Sequence, residues 1–401
     1  MTTALYSSVE IPPYQWRLVK QKEDLKTVGV VAPHYGSARV SYGMAAQLAS
    51  KGYRFTSLRR WPFHILNREH SLLSNTAILT NPSVDLVHTM NILPINGDRF
   101  VTSFELEMPR YLERKEGWEH RMGWRIMRSE RCRRLMSLSE IGSALLKQKC
   151  QKLGMPEVAE KVTVFRGAIE PSVATEEREY RTQGPLKLMF VGAQAFRKGI
   201  VSAIAAIEQL RAEGAEVELT VVSSLQPDGY VTGEACPNPE EFRQALEALP
   251  WASYYKTMPN QRVRQLMRTH DLLLIPSFDE TLGWVVVEAG MEGLGVVATD
   301  VFAFSELIDQ DKTGRMLFLP KQSQNRWRGL PVDYPDPSPQ LWVEDSAALT
   351  DQLVSILRDC IEDRTIVRRW GEAAREKMMG LYHPAIATQK LASIYAEALD
   401  S

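Results

Sequence analysis

The chain has 401 residues, two to three times a typical domain of about 150, so at least two domains are expected. With 44% hydrophobic and 24% charged residues it has the composition of a folded globular protein, which excludes a disordered, collagen-like or disulfide-scaffold chain. The 48 Lys and Arg against 49 Asp and Glu leave a net charge of -1, so no global field draws it to nucleic acid or an anionic bilayer, and no nucleic-acid partner is expected.

The N-terminal stretch to Lys26 has no apolar core of signal-peptide length and carries Pro12, Pro13 and several charges, which argues against secretion. No uncharged apolar run reaches the roughly 18 residues of a spanning helix. The four cysteines, Cys132, Cys150, Cys236 and Cys360, form no CxxC pair, so neither a zinc knuckle nor a disulfide framework is indicated and a reducing cytoplasm is the expected location.

Short β-branched runs then alternate with helical patterns, the signature of parallel α/β sheets. The first series opens with the strand TVGVVAP and a turn holding His34, Gly36 and Ser37. An amphipathic stretch through Ala45 and Leu48 follows, then the strands AILT, DLVHT and RFVTSF, the last running into Phe104 and Glu105. Next comes RYLERKEGWEHRMGWRIMRSERCRRL, in which many arginines surround Trp118 and Trp124. Two readings of it stand: an interfacial helix face seated on anionic lipid, or a solvated helix with i,i+4 ion pairs, and the interleaved Glu113, Glu116, Glu119 and Glu130 favour the second. The strand LMSLS leads to a helix with Ser139 as its N-cap, and KVTVFRG closes the unit.

Residues 171–185, charged and without an apolar period, read as a linker between a first Rossmann-like domain, 1–170, and a second, 186–382. The second series comprises LKLMFVG, a helix through Ala203, Ala206 and Leu210, then VELTVV, DLLLIPS and GVVATD. From Pro320 to Trp342, proline-rich sequence predicts a long irregular loop.

The stretch 276–300, PSFDETLGWVVVEAGMEGLGVVATD, carries the densest chemistry. A strand ends at Pro276, a short loop holds Glu280 and Gly283, and a helix starts near Trp284 with Glu288 in its second turn. Such a turn suits a nucleotide sugar: the loop carboxylate accepts from sugar hydroxyls, the helical one from the ribose hydroxyls, and amides at the helix N-terminus face the diphosphate. For the pair alone, two acidic residues on an ordinary strand-to-helix connection would be as fair a reading.

The order and spacing of several motifs resemble the retaining glycosyltransferases of family 4, over most of the chain from about Val28 onward. Pro276-Ser277, Glu280, Glu288, Gly293, Ala298-Thr299-Asp300, Ser305-Glu306-Leu307-Ile308 and Thr313-Gly314 carry the match. The resemblance implies a GT-B fold, two Rossmann-like parallel-sheet domains facing a central cleft, acceptor side first and donor side second, with a C-terminal helix, 383–401, packing back on the N-terminal domain. It implies transfer, with retention, of a hexose-type sugar from a UDP or GDP sugar to a glycan, lipid-linked or small-molecule acceptor, with no cofactor beyond the nucleotide sugar and no metal.

In FVGAQAFRKGI the resemblance makes Gly192 the phosphate-loop glycine and Lys198 the cation on the donor diphosphate, with Arg197 standing in for the family's arginine, which is Ala193 here. Gly36 and Ser37 correspond to the glycine-rich loop near the donor. Where the family often places a sugar-contacting His, this chain has Phe104 and Glu105, and His34 is the better-placed substitute, His88 reading as a buried strand-end histidine. Two alternatives remain: an epimerase or hydrolase on the same fold, and a degenerate, non-catalytic binding protein, against which the retained Glu280, Glu288 and Lys198 speak.

Overall fold

A computed structural model describes residues 25–31, 35–61, 76–80, 82–109, 117–172, 178–227, 229–322, 325–330 and 338–400. Fifteen strands lie within them. The N-terminal sheet contains β1 (Lys26–Val31), β2 (Tyr53–Arg60), β4 (Leu79–Thr80), β5 (Leu86–Met90), β7 (Phe100–Phe104), β8 (Cys132–Ser137) and β9 (Val162–Val164), in the order β4-β2-β1-β5-β7-β8-β9. All pairings are parallel except β2 with β4. The C-terminal sheet contains β10 (Leu186–Val191), β11 (Val217–Val222), β12 (Ala252–Tyr255), β13 (Leu272–Ile275), β14 (Gly295–Thr299) and β15 (Gly314–Leu317), all parallel, in the order β12-β11-β10-β13-β14-β15.

Parallel strands covered on both faces read as continuous apolar runs, and β5, β7, β13 and β14 are buried at every residue. The expected strand AILT is different. It breaks at the exposed Ile78: Thr76–Ala77 (β3) pairs with Leu93–Pro94 (β6) in a separate ladder, while β4 runs antiparallel on the sheet edge.

Each sheet is packed on both faces. One face of the N-terminal sheet is closed by Trp124, Met127, Leu146 and Cys150, with Phe104 among them. Its other face takes Ala387, Leu391, Ile394 and Tyr395 of the C-terminal helix Pro384–Asp400, together with Leu282, Phe302 and Ala303 of the C-terminal half. His88 lies at that seam, fully buried, its Nδ1 2.7 Å from Tyr395 Oη and its Nε2 3.0 Å from Ser103 Oγ. Burial lowers its pKa to about 3, so it is a neutral core residue.

Between the halves, Ser172 donates to Glu292 at 2.6 Å and Arg178 donates to the carbonyls of Met267, Glu292 and His270. The chain crosses back at Tyr382, whose carbonyl accepts from Ile169 N at 3.0 Å.

Two sequence expectations need correction. The irregular loop stops at Ser338, because Pro339 occupies the first turn of the helix Pro339–Glu362, where a missing N–H costs nothing; Trp342 is buried in that helix. Trp327 is buried too, its Nε1 2.6 Å from Asp345 Oδ2. In the basic segment the helix Trp118–Arg128 exposes Trp118 with Arg121, Arg125 and Arg128 but buries Trp124, so only one tryptophan is on the outer face.

Candidate active site

Three tight turns on the C-terminal sheet bring the chemistry together. At the end of β10, a Cβ on Gly192 would lie 2.2 Å from Lys198 Cδ, so glycine there makes the room in which the lysine side chain lies. Gly199, at φ +80°, ends that loop with its Cα against Pro276, where a Cβ would be 2.2 Å from the Pro276 carbonyl oxygen. The loop after β10 is thereby pressed onto the loop after β13. Across that contact the Lys198 ammonium pairs with the Glu280 carboxylate, both side chains 11% exposed.

Burial pulls the lysine below its ordinary range, more than Glu280 restores. At Glu280 burial acts the opposite way, but Lys198 and Arg197 outweigh it and hold the carboxyl below the usual carboxylate range. Arg197 braces the same loop, one guanidinium nitrogen donating to the Asp279 carbonyl and another to Gln194 Oε1 at 2.7 Å. Asp279 itself accepts from Tyr230 Oη at 2.9 Å and lies 3.6 Å from Arg326; its burial pushes the carboxyl up despite these partners.

Gly283, at φ +80°, turns the chain into the helix Trp284–Met291, and a Cβ there would meet Phe304 at 2.2 Å. One turn into the helix, Glu288 is buried; its Oε1 accepts from Asn260 Nδ2 at 2.8 Å and from Arg39 of the N-terminal half. The Arg39 guanidinium lies 4.5 Å from the centre of the Trp284 ring, which in turn packs edge-on against Tyr382. Burial, and secondarily Arg264, lower the Arg39 pKa to about 10 against the opposing pull of Glu288, so it stays charged at neutral pH.

The site residues expected from sequence fall into three groups. Lys198, Glu280, Arg197 and Gly192 converge at one end of the turn 276–284, and Gly283, Trp284 and Glu288 continue it. Gly36 and Ser37 lie in the short helix Tyr35–Val40, the element that carries Arg39; His34 lies outside the described residues. Phe104 is placed differently from the others: its side chain is fully buried in the core on the face of the sheet that also holds Trp124 and Met127. Glu105 is half-buried and bonded to Asn91, its N–H 3.2 Å from Asn91 Oδ1. Arg39, Asn260 and Asp279 were not anticipated. Arg39, three residues after Gly36, was visible as a cation following a turn glycine, but its partner lies 249 positions away. Among the described residues no three His, Cys, Asp or Glu side chains form a group that can hold a metal ion, and no helix is long and apolar enough to cross a membrane.

Residues 185–327, which include all of these C-terminal site residues, match the family described as Glycosyl transferases group 1. A glycogen synthase of Mycobacterium tuberculosis is 24% identical over 172 residues, 43% of this chain; the match spans 39% of that relative's length. Among solved structures, Anabaena Alr3699/HepE, crystallised in complex with UDP-glucose, superposes with a TM-score of 0.57 at 13% identity, covering 92% of this chain and 99% of that one. Sucrose-phosphate synthase from Thermosynechococcus elongatus superposes at 0.60 with 12% identity, covering 93% and 98%. The architecture is GT-B, two Rossmann-like domains, as the sequence resemblance implies.

Proposed function

We propose that this chain, a GT-B protein whose residues 185–327 form a glycosyl transferases group 1 domain, moves a hexose-type sugar from a nucleoside-diphosphate sugar to an acceptor hydroxyl with retention at the anomeric carbon, as in family 4. The observation that carries this is the Lys198–Glu280 pair at one end of the turn that holds Glu288 at the other. A buried cation beside a buried carboxylate is a site for a ligand that brings negative charge and hydroxyl donors together, which a sugar diphosphate does. The diphosphate is the leaving group, so the task is to stabilise its growing charge; Lys198 and the amides at the start of the helix Trp284–Met291 serve it, and Arg197 keeps the Glu280 loop in place. Glu280 holds sugar hydroxyls and Glu288 the ribose. No divalent metal is required, and EDTA should leave the rate unchanged; loss restored by magnesium or manganese would refute that part.

The relative crystallised with UDP-glucose supports a UDP sugar as donor, with GDP sugars the other candidates. The acceptor, glycan, lipid-linked or small molecule, enters from the N-terminal side. The exposed face bearing Trp118, Arg121 and Arg125 supports a peripheral contact with anionic membrane. The deciding experiment is thermal unfolding across UDP, GDP and ADP sugars, followed by a transfer assay with the stabilising donor: one class should raise the transition by mass action, and no shift with any of them would refute the reading.

A further inference from the structure

Arg39 belongs to the N-terminal half, yet its guanidinium ends on a carboxylate of the C-terminal half. Both side chains are under a tenth exposed, at 8% and 6%. The arginine is fixed at three points. Its own carbonyl accepts from Ala168 N at 2.7 Å, its guanidinium carbon lies over the Trp284 ring, and its tip reaches Glu288. The neighbouring Gly167, at φ +79°, lets this happen: a Cβ there would be 2.7 Å from the Arg39 carbonyl oxygen and 3.3 Å from Trp284.

Taking two charges out of water is costly, and a buried ion pair is often no more stable than apolar residues of the same size. What such a pair does supply is geometry. Arg39 and Asn260 converge on a single oxygen of Glu288, which fixes the plane of the carboxylate from two directions. The asparagine comes from the same half as Glu288, at the start of the helix Asn260–Met267, and the arginine from the opposite half.

We propose that Arg39 is a positioning residue for the nucleotide: it holds the Glu288 carboxylate in the orientation that receives the ribose hydroxyls, so that the ribose seat is built by both halves of the chain. The inference rests on the reading of Glu288 as the ribose carboxylate. Arg39 acts through Glu288 and has no separate contact with the donor in this scheme.

The test is calorimetry with UDP and with GDP on the full chain, comparing the parent with R39Q, R39K, E288Q and R39Q/E288Q. R39Q should weaken binding of the better nucleotide roughly tenfold or more, the scale of a lost hydrogen bond to a charged group. R39K should lose less, since an ammonium keeps the charge without the planar fork. In the E288Q background, R39Q should cost nothing further, because the arginine has no other route to the nucleotide. A merely structural arginine would give the same loss in both backgrounds, and that result, or parent-like binding by R39Q, overturns the proposal. The double variant leaves no uncompensated buried charge, so its comparison with E288Q, beside R39K against the parent, decides the matter even if R39Q alone does not fold. Parent-like binding by E288Q would instead remove the ribose role of Glu288, and the inference with it, whatever R39Q does.

Discussion

Glu280 and Glu288 are held by different partners, the first by Lys198 and the second by Arg39 and Asn260, so their losses should be separable. Glu288→Ala is expected to weaken free nucleoside diphosphate and intact donor alike, because both contain the ribose. Glu280→Ala should leave nucleoside diphosphate binding nearly intact and depress transfer. Each effect should be about 1.5 to 3 kcal/mol, roughly ten- to a hundredfold, read by calorimetry and a transfer assay. Equal loss of nucleotide affinity in both would show the roles to be misassigned. Gly192→Ala tests the lysine indirectly: the new methyl group occupies the path of the Lys198 stem, so transfer should fall in it and in Lys198→Met alike, and a parent-like rate would show that the lysine does not need that path. The two carboxylates were legible in sequence because one local segment, 276–300, sets their spacing, and Lys198 because it follows a glycine at the end of a strand; that Lys198 meets Glu280, 82 positions on, was not. Arg39 and Asn260 were not, because what gives each of them a role is a contact made only when distant segments fold together.

At the scale of elements, strands were most legible where burial on both faces leaves an unbroken apolar run, as in β13. Reading failed where one residue type has two uses. Proline at 339, which by sequence extends a loop, opens a helix, with Ser338 as the N-cap, its Oγ accepting from Leu341 N. Tryptophan in the basic segment serves both surface and core: Trp118 lies on the outer face at 59% exposure, and Trp124 is buried at 4%. The two should behave differently. A triple replacement of Trp118, Arg121 and Arg125 by serine should abolish co-sedimentation with anionic vesicles at low salt while leaving the thermal transition in place. Trp124→Ala should instead destabilise the fold by about 3 to 5 kcal/mol. Vesicle binding that survives the triple replacement, or is absent from the parent, would return the helix to an ordinary solvated face.

At the scale of the whole molecule, the C-terminal helix returns to cover the N-terminal sheet, and its anchor is a histidine that must stay neutral. His88 is held to about 3, against about 6.5 for an exposed histidine. Its folded pKa is the lower of the two, so the unfolded chain binds the extra proton. The stability it confers is complete above pH 6.5 and declines as pH falls toward 3, by up to about 1.4 kcal/mol per pH unit. His88→Asn should therefore flatten the loss of stability between pH 7 and 5, measured as the change in urea midpoint; an unchanged slope would place the acid sensitivity elsewhere, burial also holding His120 low, at about 4, and His270 below its ordinary value. Two Rossmann-like halves were legible from the alternation of strands and helices. The seam between them was not, since Leu282, Phe302 and Ala303 read as ordinary apolar residues of the second half yet complete the core of the first.

The backbone passes between the halves at Ile169 and again at Tyr382, and these two passages are bonded to each other. Bodies joined by one strand of chain can slide and swivel freely. Joined by two strands side by side, they keep one easy motion, a swing about the line through both passages, and displacement then grows with distance from that line. Arg39 is bonded through its carbonyl to Ala168, next to Ile169 of the first passage, and it is from there that it reaches Glu288. A swing about that line would part the far ends of the two halves most, like the pages of a book, and would displace the Arg39–Glu288 contact beside the spine least.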